Sequence, residues 1–300
     1  MNVFHACRRR SGCALLAGVV LACADEVSLA PLPPLAEAAV ASPAPVADRA
    51  VPAADVAVSR EELPPTPSPP QRPAPLPVPG YRDASHVGPA EPGSWPQPVT
   101  IVLHGNFDRP EWECATWMPV AAWRGFVLCP RGVPTPGASP REDRWTYRGG
   151  AAGVQREIAA ALAALEERYP GRVTRRGTVL AGFSLGAILV PRIAVDRPGE
   201  YPYLFLVEGG EDGVGGDWPR RLRAAGVKGV GLAMSAPGRL RRARDATDRL
   251  RQSGIDAVFL DMRGAGHDYR GDFGSTGREA LAELAGRPDE DGGPSKGWRR

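Results

Sequence analysis

The feature that most constrains the fold of this chain is a short apolar run that ends in a serine between two glycines. Residues 178–181 (TVLA) lead directly into residues 182–186 (GFSLG). A strand that turns sharply into a helix brings backbone close on both sides of the turn, and a Cβ at the flanking positions would clash there. Gly182 and Gly186 meet this requirement. The pattern predicts a strand, a tight turn that exposes Ser184, and then a helix.

Two other apolar runs end in a turn that contains a histidine. Residues 99–103 stop at residues 104–106 (HGN), and residues 257–260 are followed by residues 264–267 (GAGH). Serine is a poor nucleophile at neutral pH, and an imidazole within hydrogen-bond reach can remove its proton during attack. Among the four histidines of the chain, only His267 lies beyond the serine, and it follows a strand-then-loop pattern. We therefore predict that His267 is the general base.

The region around these motifs alternates between predicted strands and predicted helices. Residues 125–129 have the composition of a buried strand, and residues 154–169 carry apolar side chains at helical spacing. Alternation of this kind favours a mostly parallel sheet with helices on both faces.

Three segments, in their chain order, resemble the motifs of the α/β-hydrolase fold. They are residues 103–106 (LHGN), 182–187 (GFSLGA) and 264–267 (GAGH). They are most similar to those of small esterases without a large cap, of the carboxylesterase/phospholipase and dienelactone-hydrolase-like type. The resemblance covers roughly residues 95–287, a length compatible with one domain.

The resemblance implies roles for four residues. Ser184 would be the nucleophile and His267 the base. The backbone N–H groups of Leu185 and Asn106 would form the oxyanion hole. No cofactor is implied.

The acid of the expected triad departs from the family pattern. Such hydrolases usually carry an Asp a few residues after strand seven, where it holds the histidine tautomer. That strand is expected at residues 230–234, and residues 235–238 (SAPG) after it contain no carboxylate. Asp245 and Asp248 follow within an Arg-rich stretch with helical spacing, and we expect both on a solvated helix face.

A substitute acid is available after the preceding predicted strand, residues 203–207. Glu208 comes directly after this run, and Glu211 and Asp212 follow. Some hydrolases of this fold, the pancreatic-lipase type among them, carry the acid after strand six. By that comparison we predict Glu208 as the triad acid, with Glu211 or Asp212 as alternatives. The alternative that these acidic residues only form a polar loop rim, without a catalytic role, stays open.

The amino terminus has the pattern of an export signal. Residues 8–10 are arginines, and the apolar run from Cys13 to Cys23 is too short to span a bilayer as a helix. Residues 20–23 (VLAC) resemble a bacterial lipobox, which implies a lipidated Cys23, with ordinary cleavage near Ala24 as the alternative. We predict a signal peptide at residues 1–23 and a chain lipid-anchored in the bacterial cell envelope, exported to the outer membrane or the periplasmic face, with the outer membrane favoured.

A proline-rich segment separates this signal from the motifs. Residues 31–98 hold 19 of the 33 prolines of the chain. Proline fixes φ and lacks a backbone donor, so a proline-rich segment does not build a strand ladder. We predict a disordered Pro/Ala-rich linker at residues 24–94, a catalytic domain at 95–287 and a disordered tail at 288–300.

Cysteine use and charge limit the other classes of function. In an oxidising compartment Cys114 and Cys129 could form a disulfide, and free buried thiols are an equal alternative. Neither cysteine has metal-ligand spacing with a histidine, and there is no glycine-rich phosphate loop, so we predict no metal site. The chain has 37 basic and 34 acidic residues, which is too balanced to indicate nucleic-acid binding.

Together these patterns predict a lipid-anchored serine hydrolase that cleaves small-molecule carboxylic esters through an acyl-enzyme intermediate. A serine peptidase of the same fold is the enzymatic alternative. The absence of a carboxylate after strand seven also leaves open a catalytically silent, hydrolase-like lipoprotein that binds a ligand or a partner. Several aromatic residues lie between the predicted oxyanion loop and the helix before Ser184, and we expect most of them to pack in the core and one or two to line a substrate pocket.

Overall fold

The computed structural model describes residues 67–90, 94–139, 141–214, 216–269 and 272–286. The predicted signal peptide with Cys23, the predicted linker up to residue 66 and the predicted tail 288–300 lie outside the described residues. What the sequence predicts for them stays a prediction.

Strands and helices alternate along the described chain. In chain order the strands are β1 (Ala74–Leu76), β2 (Ala84–Val87), β3 (Gln97–Leu103), β4 (Phe126–Cys129), β5 (Val133–Pro134), β6 (Trp145–Thr146), β7 (Val173–Phe183), β8 (Tyr203–Val207), β9 (Gly229–Met234) and β10 (Asp256–Asp261). The helices are α1 (Pro110–Ala121), α2 (Gly150–Arg168), α3 (Leu185–Asp196), α4 (Trp218–Ala224), α5 (Pro237–Gln252) and α6 (Phe273–Ala285), and a 3₁₀ turn at Glu211–Val214 follows β8. Within the described part of the chain, no helix has both the length and the apolar character needed to cross a bilayer.

The strand order identifies the architecture. Eight strands form one sheet in the order β1-β2-β4-β3-β7-β8-β9-β10, and β5 pairs separately with β6. The six strands from β4 to β10 in this order are parallel, whereas β2 is antiparallel to both of its neighbours. Between β8 and β9 the described residues form a 3₁₀ turn and the short α4, so they contain no large cap. The predicted α/β-hydrolase fold is confirmed.

Side chains of the central strands alternate between two cores, one on each face of the sheet. Leu204 and Leu206 of β8 pack in the core that α2, α3, α4 and α5 cover. Phe205 and Val207 pack in the core that α1 and α6 cover. Successive side chains of a strand point to opposite faces, so a strand that is buried on both faces is a continuous apolar run.

The domain begins earlier than the sequence predicts. Strands β1 and β2 lie in the segment 24–94 that was expected to be a disordered linker, and this expectation is wrong for the described residues 67–90. The catalytic domain therefore does not start at residue 95. β1 is an edge strand that pairs with β2 on one side, and an edge strand tolerates a proline such as Pro75. β2 lies inside this edge, and all four of its residues are buried.

Cys114 and Cys129 form a disulfide. The bond joins α1 to the end of β4, and the two Cα atoms lie 5.9 Å apart. The structure thus decides between the disulfide and the free thiols, which the sequence left open. The cross-link fixes α1 against the sheet next to the loop that follows β3.

Candidate active site

Ser184 lies at the tight turn between β7 and α3. Its φ of 49° and ψ of −109° fall in a region that residues with a Cβ rarely adopt. A Cβ at Gly182 would lie 2.4 Å from the carbonyl carbon of Gly186, and a Cβ at Gly186 would lie 2.1 Å from the carbonyl oxygen of Leu103. The N–H of Ser184 donates to the carbonyl of Val207 at 2.9 Å. The glycines let three backbone segments meet at the serine.

His267 reaches this serine from the loop after β10. Its Nε2 lies 2.8 Å from the Ser184 Oγ. The imidazole packs against Phe183, with ring centroids 5.0 Å apart, and the Ser235 hydroxyl donates to the carbonyl of Gly266. With the ring proton on Nδ1, the serine hydroxyl donates to Nε2, which is the geometry that general-base catalysis requires.

Glu208 lies on the other side of the imidazole. Its Oε2 is 3.5 Å from His267 Nδ1, an ion-pair distance slightly longer than an ordinary hydrogen bond. The side chain is buried, and its Oε1 has no hydrogen-bond partner. The Glu208 backbone has a positive φ of 53°; its N–H donates to the Ala233 carbonyl at 3.0 Å, and its own carbonyl accepts from Arg239 Nη1 at 2.8 Å. A buried carboxylate thus faces the nitrogen that must carry the proton.

Glu211 and Asp212, the alternative acids, point to helix α5 instead. Glu211 is buried and lies 3.4 Å from Arg239 Nη1 and 3.0 Å from Arg242 Nη2. Asp212 is largely exposed and lies 3.4 Å from Arg242 Nε. Arginines of α5 therefore hold both carboxylates away from the histidine, and of the three predicted candidates only Glu208 contacts His267. Asp245 and Asp248 are exposed on α5, as expected.

The two predicted oxyanion-hole residues lie on segments that meet at the serine. Leu185 is the first residue of α3, where backbone N–H groups have no intrahelical acceptor. Asn106 is exposed and follows Gly105. A Cβ at Gly105 would lie 3.0 Å from the Phe183 ring and 3.5 Å from the Ser184 Cβ. The loop after β3 therefore runs directly past Ser184.

His104 holds this loop in place. It is fully buried, with Nδ1 2.7 Å from the carbonyl of Gly105 and Nε2 2.8 Å from the carbonyl of Arg131. Its ring stacks on Tyr147, with centroids 4.4 Å apart. Burial lowers the pKa of His104. Because both ring nitrogens face carbonyl oxygens, this histidine has a structural role and is not a second base.

A largely buried polar network lies beside the site, and the sequence patterns did not predict it. Tyr269 donates to Glu113 Oε2 at 2.9 Å and accepts from Trp117 Nε1 at 3.0 Å. Burial, followed by the nearby Asp108 carboxyl, raises the pKa of Glu113 well above its ordinary value. One signal was present: Glu113 and Trp117 are four residues apart, so Glu113 shares the apolar face of α1.

Two exposed apolar side chains lie on the segments that meet at the serine. Phe107 is 52% exposed, with a positive φ of 62°, and Ile188 is 57% exposed. Ile188 is four residues after Ser184 on α3 and leans toward it, because helical side chains point to the N-terminus. Of the aromatic side chains expected near the entrance, Trp117 and Tyr147 are buried and Trp112 is exposed. Within the described ranges, no three His, Cys, Asp or Glu side chains converge to hold a metal ion.

The likeness of this chain to known proteins concerns its fold. The chain matches no protein-family model and no curated protein. An uncharacterized protein from Bacillus cereus ATCC 10987 is 13% identical over 65% of this chain and 61% of its own, with a TM-score of 0.50. Esterase PE8 is 19% identical over 66% of this chain and 97% of its own, with a TM-score of 0.48.

A longer protein is similar as well. An acylaminoacyl peptidase from Pyrococcus horikoshii is 15% identical over 75% of this chain, with a TM-score of 0.49, and this chain spans 43% of that protein's length. At such identities a structural likeness concerns the fold and not the activity. The strand order and the strand-turn-helix at Ser184 show that this chain has the α/β-hydrolase fold.

Proposed function

We propose that this protein is a serine hydrolase that cleaves carboxylic esters through an acyl-enzyme intermediate. The observation that carries the proposal is the distance of 2.8 Å between His267 Nε2 and Ser184 Oγ, at a strained turn between a strand and a helix. An activated serine needs a base within hydrogen-bond reach and an accessible position; His267 is within reach, and Ser184 is partly exposed.

The chemistry follows from these positions. Ser184 Oγ attacks the ester carbonyl carbon while its proton passes to His267 Nε2. The carbonyl oxygen becomes an oxyanion, which the N–H groups of Leu185 and Asn106 would stabilise. Collapse of this intermediate breaks the bond to the alcohol, which takes the proton from His267. Water then attacks the acyl-serine by the same route, releasing the carboxylic acid and restoring Ser184.

Glu208 is the proposed third member of the triad. Its carboxylate is buried, and His267 Nδ1 is the group it faces at 3.5 Å. When His267 takes the serine proton, the imidazolium is stabilised by this negative charge, which burial shields from water on the Glu208 side. Glu208, at the end of β8, therefore supplies the carboxylate that the family pattern places after strand seven.

The substrate group next to the scissile bond is proposed to be apolar. Phe107 and Ile188 are exposed on the two segments that meet at Ser184, and Phe107 is held in a strained conformation. Large apolar side chains exposed beside a reactive serine favour a binding contact, and the strained backbone of Phe107 supports this. An ester with an aliphatic or aromatic group could contact both.

Labelling with a fluorophosphonate probe tests the proposal. The full chain, purified in detergent, is treated with the probe and the labelled peptide is identified by mass spectrometry. Labelling at Ser184 that is lost in Ser184→Ala and His267→Ala, but kept in Ser139→Ala on an exposed loop, supports an activated serine. Turnover of p-nitrophenyl esters beside acyl-peptide substrates then separates an esterase from a peptidase. A folded chain without labelling would contradict the mechanism and favour a binding protein.

We also propose that the chain is exported and anchored through lipid on Cys23. The signal pattern of residues 8–23 supports this, and so does the Cys114–Cys129 disulfide, because disulfides persist in oxidising compartments. Metabolic labelling with an alkyne fatty acid should mark the chain, and Cys23→Ser should abolish the label. Labelling that survives in this variant would contradict the anchor.

A further inference from the structure

A buried network connects the two loops that carry the proposed catalytic groups. Tyr269 lies two residues after His267, and Asp108 lies two residues after Asn106. Between them stands Glu113 of α1, which accepts from the Tyr269 hydroxyl at 2.9 Å and whose carboxyl lies beside that of Asp108. One carboxyl group therefore touches both loops.

The chemistry of the pair requires a proton between the two acids. Two carboxylates in hydrogen-bond contact repel each other unless one is protonated. Glu113 is 2% exposed, whereas Asp108 is partly exposed and accepts the N–H of Arg109 at 2.8 Å. The more buried group keeps the proton, because burial disfavours its charged form. A protonated Glu113 can donate to Asp108 while it accepts from the Tyr269 hydroxyl.

Aromatic packing connects Tyr269, through Phe183, to His267. The Tyr269 ring lies 4.7 Å from the Phe183 ring, and Phe183 also packs against the His267 imidazole at 5.0 Å. Trp117 fixes the other side of Tyr269 through its 3.0 Å hydrogen bond to the hydroxyl. A shift of the Tyr269 hydroxyl would therefore move the support of both His267 and Ser184.

We propose that Glu113 is a positioning residue of the catalytic site, which holds the histidine loop through Tyr269 and the oxyanion loop through Asp108. The proposal rests on the proposed function, since it concerns the rate of that reaction. Glu113 touches neither the substrate nor the reacting atoms. It acts by keeping His267 and the Asn106 amide in the geometry that the transition state needs.

This arrangement depends on pH. The titratable groups that act on Glu113 are Asp108 from the oxyanion loop and Tyr269 from the histidine loop, and Tyr147 is close enough for its own pKa to be raised by Glu113. Loss of the Glu113 proton would place two negative charges side by side and break the bond to Asp108. Turnover should therefore fall on the alkaline side as Glu113 ionises.

The test compares Glu113→Gln with Glu113→Ala in the full chain, using p-nitrophenyl ester turnover as a function of pH. A glutamine amide can donate to Asp108 and accept from Tyr269, so Glu113→Gln should keep kcat within about threefold and extend the plateau to higher pH. Glu113→Ala leaves both partners unpaired and should lower kcat by about tenfold or more, with KM changed little.

Two further variants keep the test decisive. Tyr269→Phe retains the ring packing but removes the hydroxyl, so it should also lower kcat, even if Glu113→Ala fails to fold. Glu157→Gln is the matched control, because Glu157 of α2 is a buried carboxyl that accepts the Gly132 N–H at 2.7 Å. Glu157→Gln should not shift the alkaline limb of the pH profile of turnover relative to the unmodified protein.

The outcomes separate this inference from the proposed function. If Ser184 is labelled and esters are turned over, but Glu113→Gln has the alkaline limb of the unmodified protein, the positioning role is overturned and the hydrolase stands. The same holds if Glu113→Ala and Tyr269→Phe, both folded, keep full kcat. If the folded, unmodified chain is neither labelled nor active, both proposals fail.

Discussion

At the scale of single residues, Ser184 and Glu208 occupy corresponding positions at the ends of neighbouring strands. Phe183 pairs with Val207 in the register of β7 and β8, so the residues that follow them meet. Both have positive φ values, 49° for Ser184 and 53° for Glu208. Such conformations cost about 1–3 kcal/mol each for residues with a Cβ. The strain is located where the side chains must point at His267.

Glu208→Gln should lower kcat by about 10²–10⁴-fold with little change in KM, because a neutral amide cannot stabilise the imidazolium and can favour the wrong tautomer. Steady-state turnover of a p-nitrophenyl ester measures this. Asp212→Asn is the matched control on the same loop, since Asp212 is largely exposed and paired with Arg242. Similar losses in both variants would remove Glu208 from the triad.

Gly186→Ala should destabilise the domain by about 3 kcal/mol or more, because the added Cβ would overlap the Leu103 carbonyl oxygen and the backbone cannot give way cheaply. Urea unfolding monitored by circular dichroism measures the change. Gly238→Ala in α5 is the control, since an added Cβ there meets nothing within 4 Å. An equally small effect in both variants would argue against the close-packed turn.

At the scale of elements, α1 connects parts of the molecule that are far apart in the sequence. Cys114 joins it to β4, and Glu113 and Trp117 join it to the histidine loop. Helix α5 does the same on the other side, where Arg239 binds the carbonyl of Glu208. The proposed triad is therefore supported from both faces of the sheet, by one helix on each.

The buried Glu113 makes a prediction about stability. Its pKa in the folded protein is raised above the ordinary value of 4.5, chiefly by burial. Above pH 4.5 the unfolded chain loses this proton while the folded protein keeps it, so stability falls with rising pH, by up to about 1.4 kcal/mol per pH unit, until the raised pKa is passed. Glu113→Gln has no carboxyl proton at this position, so its stability does not carry this pH dependence.

Urea unfolding of the two proteins between pH 4 and pH 8 checks this. The stability of Glu113→Gln relative to the unmodified protein should increase as pH rises above the ordinary carboxyl pKa of about 4.5 and then level off. Parallel stability curves would show that Glu113 does not retain its proton. Glu166→Gln, at an exposed carboxylate paired with Arg175, serves as the control and should show no such rise.

At the scale of the whole molecule, the first hairpin completes the sheet. β2 covers the edge of β4 and is itself covered by β1. His86 of β2 reaches across to the Tyr169 hydroxyl at the end of α2, at 2.9 Å. Without this hairpin, β4 would present unpaired backbone groups and apolar surface to solvent.

Truncation tests this boundary. A chain that begins at residue 67 should fold and keep the thermal stability of the longer protein. A chain that begins at residue 95, where the composition placed the start of the domain, should aggregate or lose its cooperative transition. Size-exclusion chromatography and thermal unfolding distinguish the two, and a stable, monomeric product that starts at residue 95 would contradict the role of β1 and β2.

Patterns in the sequence were sufficient for the features that depend on neighbouring residues. Apolar runs predicted the central strands, as for β8, where the predicted residues 203–207 coincide with the observed Tyr203–Val207. The glycines around Ser184 predicted the turn, because backbone sterics act within a few residues. β1 and β2 were missed because they are short and lie in a proline-rich segment that resembles a linker.

Local periodicity and backbone sterics encode the central strands, the turn at Ser184 and the histidine that follows the last strand, so these features could be predicted from the residues alone. Folding in three dimensions was needed to show which carboxylate meets His267, that Cys114 reaches Cys129 and that Glu113 contacts the histidine loop. These contacts depend on distances between residues far apart in the chain, which strand register and helix packing set. The position directly after β8 favoured Glu208, and the contacts of Glu211 with the arginines of α5 show that Glu211 points away from His267.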